Sequence, residues 1–123
     1  MARILVIDDD KIMNSMVVQM LKEAGYEVKS ALDGKHGLKW LDAKTFDLIV
    51  TDIIMPEIEG LEMIRMVRAI NKKIPIIAIS GGGKMRPEGY LKMAQAFGAD
   101  YTFEKPFDKE PFLAAVRDCL EGI

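Results

Sequence analysis

The chain has 123 residues, half of them apolar and 29% charged, which suffices to bury one core and leaves no room for a second domain. A net charge of −2 with interspersed signs gives no basic stripe, so direct nucleic-acid binding has no electrostatic support. The single cysteine, Cys119, excludes an internal disulfide and reads as a small core residue; the apolar start, Met1 to Ile7, is too short for a secretory signal or a membrane span, and a cytoplasmic location is expected.

Strand and helix patterns then alternate five times. Ile4 to Ile7 is a continuous apolar run of the kind buried on both faces of a parallel sheet. From Lys11 to Ala24, the spacing of Met13, Val17, Met20 and Ala24 predicts a helix that Gly25 stops. Tyr26 to Ala31 reads as a short, more polar edge strand. Asp33 can cap a second helix carrying Leu38 and Leu41. Phe46 to Val50 is the next buried strand, delivering Thr51 and Asp52 at its end, and a helix over Glu59 to Asn71 places Met63, Ile64, Val67 and Ile70 on one side. Ile74 to Ile79 forms a fourth strand closed by Ser80. Gly81 to Pro87 is the long turn signal, with Pro87 opening a helix that runs to Phe97. Tyr101 to Glu104 is the fifth strand, and a last helix from Asp108 to Glu121 turns Phe112, Val116 and Leu120 inward.

This alternation predicts a three-layer α/β domain, in which ligands bind outside the carboxyl ends of the strands. Those ends hold Asp8 and Asp9, Asp52, Ser80 and Lys105. Crowded carboxylates repel one another unless a cation joins them, and a hard divalent ion, Mg²⁺, suits an all-oxygen set. A carboxylate left free can then attack phosphorus, while Lys105 supplies charge and Ser80 a hydrogen bond to a phosphoryl oxygen.

Several residues have plainer readings. Asp10 reads as a cap or a solvated side chain, and His36, with no second ligand nearby, as a surface residue. The nine methionines read as adaptable core filler. Gly81-Gly82-Gly83-Lys84 lacks the spacing of a phosphate loop.

Four segments in register resemble the receiver domains of two-component response regulators: Ile4-Leu5-Val6-Ile7-Asp8-Asp9-Asp10, Asp52-Ile53-Ile54-Met55-Pro56 with Gly60, Ser80 closing the fourth strand, and Lys105-Pro106-Phe107. The resemblance implies a flavodoxin-like (βα)₅ fold whose five-stranded parallel sheet has the order 2-1-3-4-5, with residues 1–123 forming one stand-alone receiver. It implies that Asp52 accepts a phosphoryl group from a sensor histidine kinase or a histidine phosphotransfer domain, catalysing only its own phosphorylation and dephosphorylation. Asp9, Asp52 and the backbone carbonyl of Ile54 are expected to hold Mg²⁺ directly and Asp8 through water, with Lys105 on the phosphoryl group, Ser80 drawn toward it and the Lys105-Pro106 bond cis. The chain ends after its fifth helical pattern, so output is expected through a partner protein not identified by these residues, with neither nucleic acid nor membrane involved.

Three positions depart from the family pattern. Thr102 stands where many receivers carry a reorienting aromatic, with Tyr101 and Phe103 one residue out of phase. The segment from Ser80 to Gly98 is longer than usual. Ile54 and Gly82, two residues after Asp52 and Ser80, offer no polar group to hold an attacking water. Other classes compatible with the same residues are a Mg²⁺-dependent phosphohydrolase with an aspartyl nucleophile, which lacks an acid/base group at Ile54 and a cap, and a degenerate receiver that only binds proteins.

Overall fold

A computed structural model describes residues 1–53, 60–70, 73–80, 95, 98–105 and 107–122. In chain order these form β1 (Arg3–Ile7), α1 (Lys11–Glu23), β2 (Glu27–Ala31), α2 (Gly34–Ala43), β3 (Leu48–Asp52), α3 (Gly60–Ile70), β4 (Ile76–Ser80), β5 (Tyr101–Glu104) and α4 (Lys109–Glu121). The strands make one parallel sheet in the order β2-β1-β3-β4-β5, the order that the resemblance implied. The expected loop from Gly81 and the helix from Pro87 to Phe97 lie outside the described residues, Gln95 excepted.

The two faces of the sheet bury separate cores. Ile4, Val6, Leu48, Val50, Ile77 and Ile79 pack with Val17 and Leu21 of α1 and with Phe112 and Val116 of α4. Leu5, Ile7, Ile49, Ile76 and Ala78 pack on the other face with Met63, Ile64 and Val67 of α3, and Leu38, Trp40 and Leu41 of α2 lie against that core. Every residue of β3 and β4 is buried. Each fully buried aliphatic side chain contributes about 1.5–3 kcal/mol, so these central strands, with β1, anchor both cores. β2 lies at an edge, as its polar sequence predicts.

The amino edge of the sheet is held by arginines. Arg3 donates its backbone N–H to Asp47 Oδ2 at 2.8 Å and an Nη1 proton to the Thr45 carbonyl at 3.0 Å, and its Nε pairs with Glu27. Arg68 of α3 donates to the Gly98 carbonyl, to the Ile74 carbonyl and, at 3.0 Å, to Asp100 Oδ2, which also accepts from the Ile76 N–H at 2.9 Å. The strands are thus tied at their amino ends, and Asp8, Asp9 and Asp52 gather at the other edge.

Some sequence expectations shift by a residue or two. The buried stripe of α1 is Asn14, Val17 and Leu21; Met13 and Met20 flank it half-buried, and Ala24 is the exposed C-cap before Gly25, whose φ of +98° suits glycine. β3 begins at Leu48, where pairing with Ile4 starts, and runs through Asp52. β4 begins at Ile76 because Pro75 has no N–H to donate, although its carbonyl accepts from Ile49. Ile70, the last described residue of α3, is 82% exposed and does not join Met63, Ile64 and Val67 in the core. Met63 is core, but Met16 and Met66 are exposed, so the methionines are not uniformly filler. Cys119 is half-buried at the margin of the α1–α4 core and is a free thiol. No helix among the described residues is long and apolar enough to cross a membrane.

Candidate functional site

Parallel pairing aligns Ile7 of β1 with Thr51 of β3, so Asp8 and Asp52, each one residue further on, stand side by side at the carboxyl edge. The Asp8 N–H donates to the Ala31 carbonyl at 3.1 Å, extending the ladder to β2 by one step. Three consecutive aspartates then divide the work. Asp10 is the N-cap of α1, accepting from the Ile12 and Met13 amides at 3.0 and 3.2 Å. Asp8 is buried and its Oδ1 accepts from the Asp10 N–H at 2.9 Å. Asp9 is exposed.

Carboxylate oxygens of Asp8, Asp9 and Asp52 lie within 4.8 Å of one another. Lys105 follows β5, where its own N–H donates to the Ser80 carbonyl at 2.7 Å, and its Nζ donates to Asp8 Oδ2 at 2.9 Å and Asp52 Oδ2 at 3.1 Å. Burial works against the charge on this ammonium, yet contact with Asp8 and Asp52 outweighs it, and the proton is held more tightly than on a free lysine. Lys105 therefore stays cationic throughout the neutral range. The Ser80 hydroxyl is fully buried and has no hydrogen-bond partner among the described residues. A buried hydroxyl left unpaired costs about 1–3 kcal/mol, a cost removed when a ligand oxygen reaches it.

These groups fit a hard cation and an oxyanion. Three carboxylates beside one ammonium leave a formal charge of −2, and the donor set is all oxygen, the chemistry of a Mg²⁺ site. The orphan hydroxyl and the ammonium face the same edge as donors for a phosphoryl oxygen. Ile54, the three glycines from Gly81 and Pro106 lie outside the described residues, and with them the expected carbonyl ligand and the cis bond.

Sequence reasoning missed Asn14. This side chain is 4% exposed, and its Nδ2 donates to the Asp8 carbonyl at 3.1 Å and the Ala31 carbonyl at 3.0 Å. Its signal was present: Asn14, Val17 and Leu21 keep helical spacing on one face, and an amide on a buried face needs partners.

The aromatic residues of β5 are also settled by register. Asp52, Ile79 and Phe103 form one row across three strands, while Thr102 lies in the row of Ala78, on the opposite face. Phe103 joins Phe107 and Phe112 in a cluster with ring centroids 5.0–5.8 Å apart, on the α1–α4 side. Neither Tyr101 nor Phe103 takes the place of Thr102. His36 is exposed at the start of α2, where its ring Nδ1 is 2.7 Å from Asp33 Oδ1. The backbone N–H and then the ring of His36 hold the Asp33 carboxyl below its usual range.

Comparison with known proteins points the same way. The family described as response regulator receiver domain matches residues 4–117. Response regulator ArlR of Staphylococcus saprophyticus is 36% identical over 121 residues, covering 98% of this chain and 53% of that protein. Among solved structures, a response regulator receiver domain protein from Clostridium thermocellum superposes with a TM-score of 0.90 at 25% identity, covering 99% of this chain and 96% of that one. The chemotaxis response regulator CheY4 of Vibrio cholerae does so with a TM-score of 0.85 at 34% identity, covering 98% and 99%. The chain spans about half the length of the first curated relatives it matches.

Proposed function

The chain belongs to the response regulator receiver family, and from that premise we propose that it takes a phosphoryl group onto Asp52 from a phosphohistidine, presented by a sensor histidine kinase or a histidine phosphotransfer domain. The observation that carries this reading is the Lys105 ammonium bridging Asp8 and Asp52 inside a three-carboxylate cluster at the carboxyl edge. An Asp52 oxygen attacks phosphorus, the phosphorus–nitrogen bond breaks, and the electron pair stays on the departing imidazole. Little covalent chemistry is asked of the protein beyond position and charge. Lys105 neutralises a phosphoryl oxygen as it swings from the carboxylates, and Ser80 donates its unpaired hydroxyl proton to another. Asp9, Asp52 and the Ile54 carbonyl would hold Mg²⁺, with Asp8 acting through water. When bound, that ion supplies positive charge against the phosphoryl oxygens and the crowded carboxylates.

In this reading residues 1–123 act as one receiver unit in the cytoplasm, without touching nucleic acid themselves, and pass the signal to a downstream protein. The chain's chemistry is confined to gaining and losing its own phosphoryl group. Incubation with acetyl phosphate and Mg²⁺ tests this by intact-protein and peptide mass spectrometry. One phosphoryl adduct is expected, on Asp52, absent from Asp52→Asn and from samples held in EDTA. An adduct that survives in Asp52→Asn on His36 or Ser80 rules the assignment out.

A further inference from the structure

We propose that Asn14 is a positioning residue for the acidic edge, fixing the backbone from which the Asp8 and Asp9 carboxylates converge. The inference rests on the cation-assisted reading above and adds a residue to it. Asn14 sits in the first turns of α1, between the cap at Asp10 and the core residue Val17. Its amide nitrogen spans two strand ends at once, donating to the Asp8 carbonyl at the end of β1 and to the Ala31 carbonyl at the end of β2. The Ala31 carbonyl already receives the Asp8 N–H, so both backbone groups of Asp8 are tied through one small network. The third tie is local: Asp8 Oδ1 accepts from the Asp10 N–H, and the Asp10 carbonyl receives the Asn14 N–H at 2.8 Å.

These bonds form a closed circuit from β1 through the aspartates into α1 and back. Within that circuit Asp9 is held only through its neighbours, because no hydrogen bond to its carboxylate occurs among the described residues. Its direction therefore follows from the backbone that Asn14 pins. Side chains that orient metal ligands without touching the metal commonly govern affinity by about 10–100-fold. A core residue one turn further on has no such reach: Val17 packs in the α1–α4 core and bonds to nothing at the edge.

The test is a Mg²⁺ titration of ¹⁵N-labelled protein followed by NMR, with thermal unfolding recorded on the same samples. Asn14→Leu keeps the branched outline of the side chain and removes its amide donor; Asn14→Ala removes the donor and the packing, and Val17→Ala is the control for lost stability alone. The wild type is expected to bind Mg²⁺, Asp9→Ala to lose binding, Asn14→Leu to bind about tenfold more weakly, and Val17→Ala to bind as the wild type does despite a lower melting temperature. Wild-type affinity in Asn14→Leu overturns the proposal, as does an equal loss of affinity in Val17→Ala. Should Asn14→Ala fail to fold, the leucine variant carries the comparison. A wild type that binds no Mg²⁺ overturns the cation reading itself and the proposal with it, a result distinct from failure of Asn14 alone.

Discussion

Asp9 differs from its two neighbours in the cluster. Lys105 reaches Asp8 and Asp52, whereas among the described residues no ammonium reaches Asp9, which lies within 4.8 Å of both. Like charges at that separation oppose folding unless a cation is present. Asp9→Asn is therefore expected to raise stability in EDTA by about 0.5–1 kcal/mol, or roughly 2–5 °C in melting temperature. In the proposed reading Mg²⁺ raises the melting temperature of the wild type, and Asp9→Asn should abolish that rise. Differential scanning fluorimetry with EDTA and with saturating Mg²⁺ checks both halves; a lower melting temperature in EDTA would count against the repulsion. Cys119 supplies a second residue-level expectation. Burial, reinforced by Asp100 and Asp118, pushes its thiol up to about 11 from 9.0. At pH 8 the native thiolate fraction is then about a hundredfold below that of an unperturbed thiol, so alkylation by iodoacetamide should be slower by a similar factor. A raised value also fixes the sign of its effect on folding. The neutral thiol's contribution is whole below about pH 9 and fades as pH rises toward about 11. The sequence marked Cys119 as a small core residue; only its place at the margin of the α1–α4 core made it half-buried.

Elements were legible where one signal dominated and shifted where two competed. The apolar run of β1 and the aromatic β5 stood out. β3 reaches Asp52 because ladder pairing with Ile79 continues past the apolar stretch, and β4 starts late because Pro75 cannot donate. In α1 the apolar residues alone suggested a stripe through Met13 and Ala24, whereas two strand-end carbonyls draw Asn14 into the interior and turn the buried face toward Leu21. Helix α2 approaches the sheet more closely than its leucines suggest. Gly37 is buried, and a Cβ there would stand 2.5 Å from Ile7 Cδ1 and 3.1 Å from Met63 Cε. Ile7 leads directly into Asp8, so packing on α2 bears on the site. Gly37→Leu should cost about 1–3 kcal/mol, overpacking outweighing the gain in helix propensity. Urea unfolding measures this, and an unchanged midpoint would show that α2 can move away freely.

For the whole molecule, the fold class and the carboxyl-edge location of the site followed from alternating patterns and the rule for open parallel sheets. The strand order came from resemblance to receivers; the helical spacing of Asn14 with Val17 and Leu21 marked it as inward-facing, but its partners could not be read, because hydrogen bonds to backbone carbonyls leave no periodic mark. The order β2-β1-β3-β4-β5 puts β3 in the middle with β1 beside it, and β5 at the far edge. Lys105 consequently meets Asp8 across 97 residues of chain. Contacts of such long range form late, after the entropy of closing the intervening chain has been met. Lys105→Met, measured by stopped-flow folding in EDTA, should speed unfolding and leave the folding rate nearly unchanged, the mark of an interaction absent from the transition state. A folding rate reduced as much as the stability would place β5 in the nucleus instead. If folding follows that order, the ammonium that neutralises the carboxylates arrives only with the docking of the last strand, and a chain caught partway holds Asp8 and Asp52 without it. In the proposed reading, competence to receive a phosphoryl group then becomes a built-in proof that the polypeptide has finished assembling.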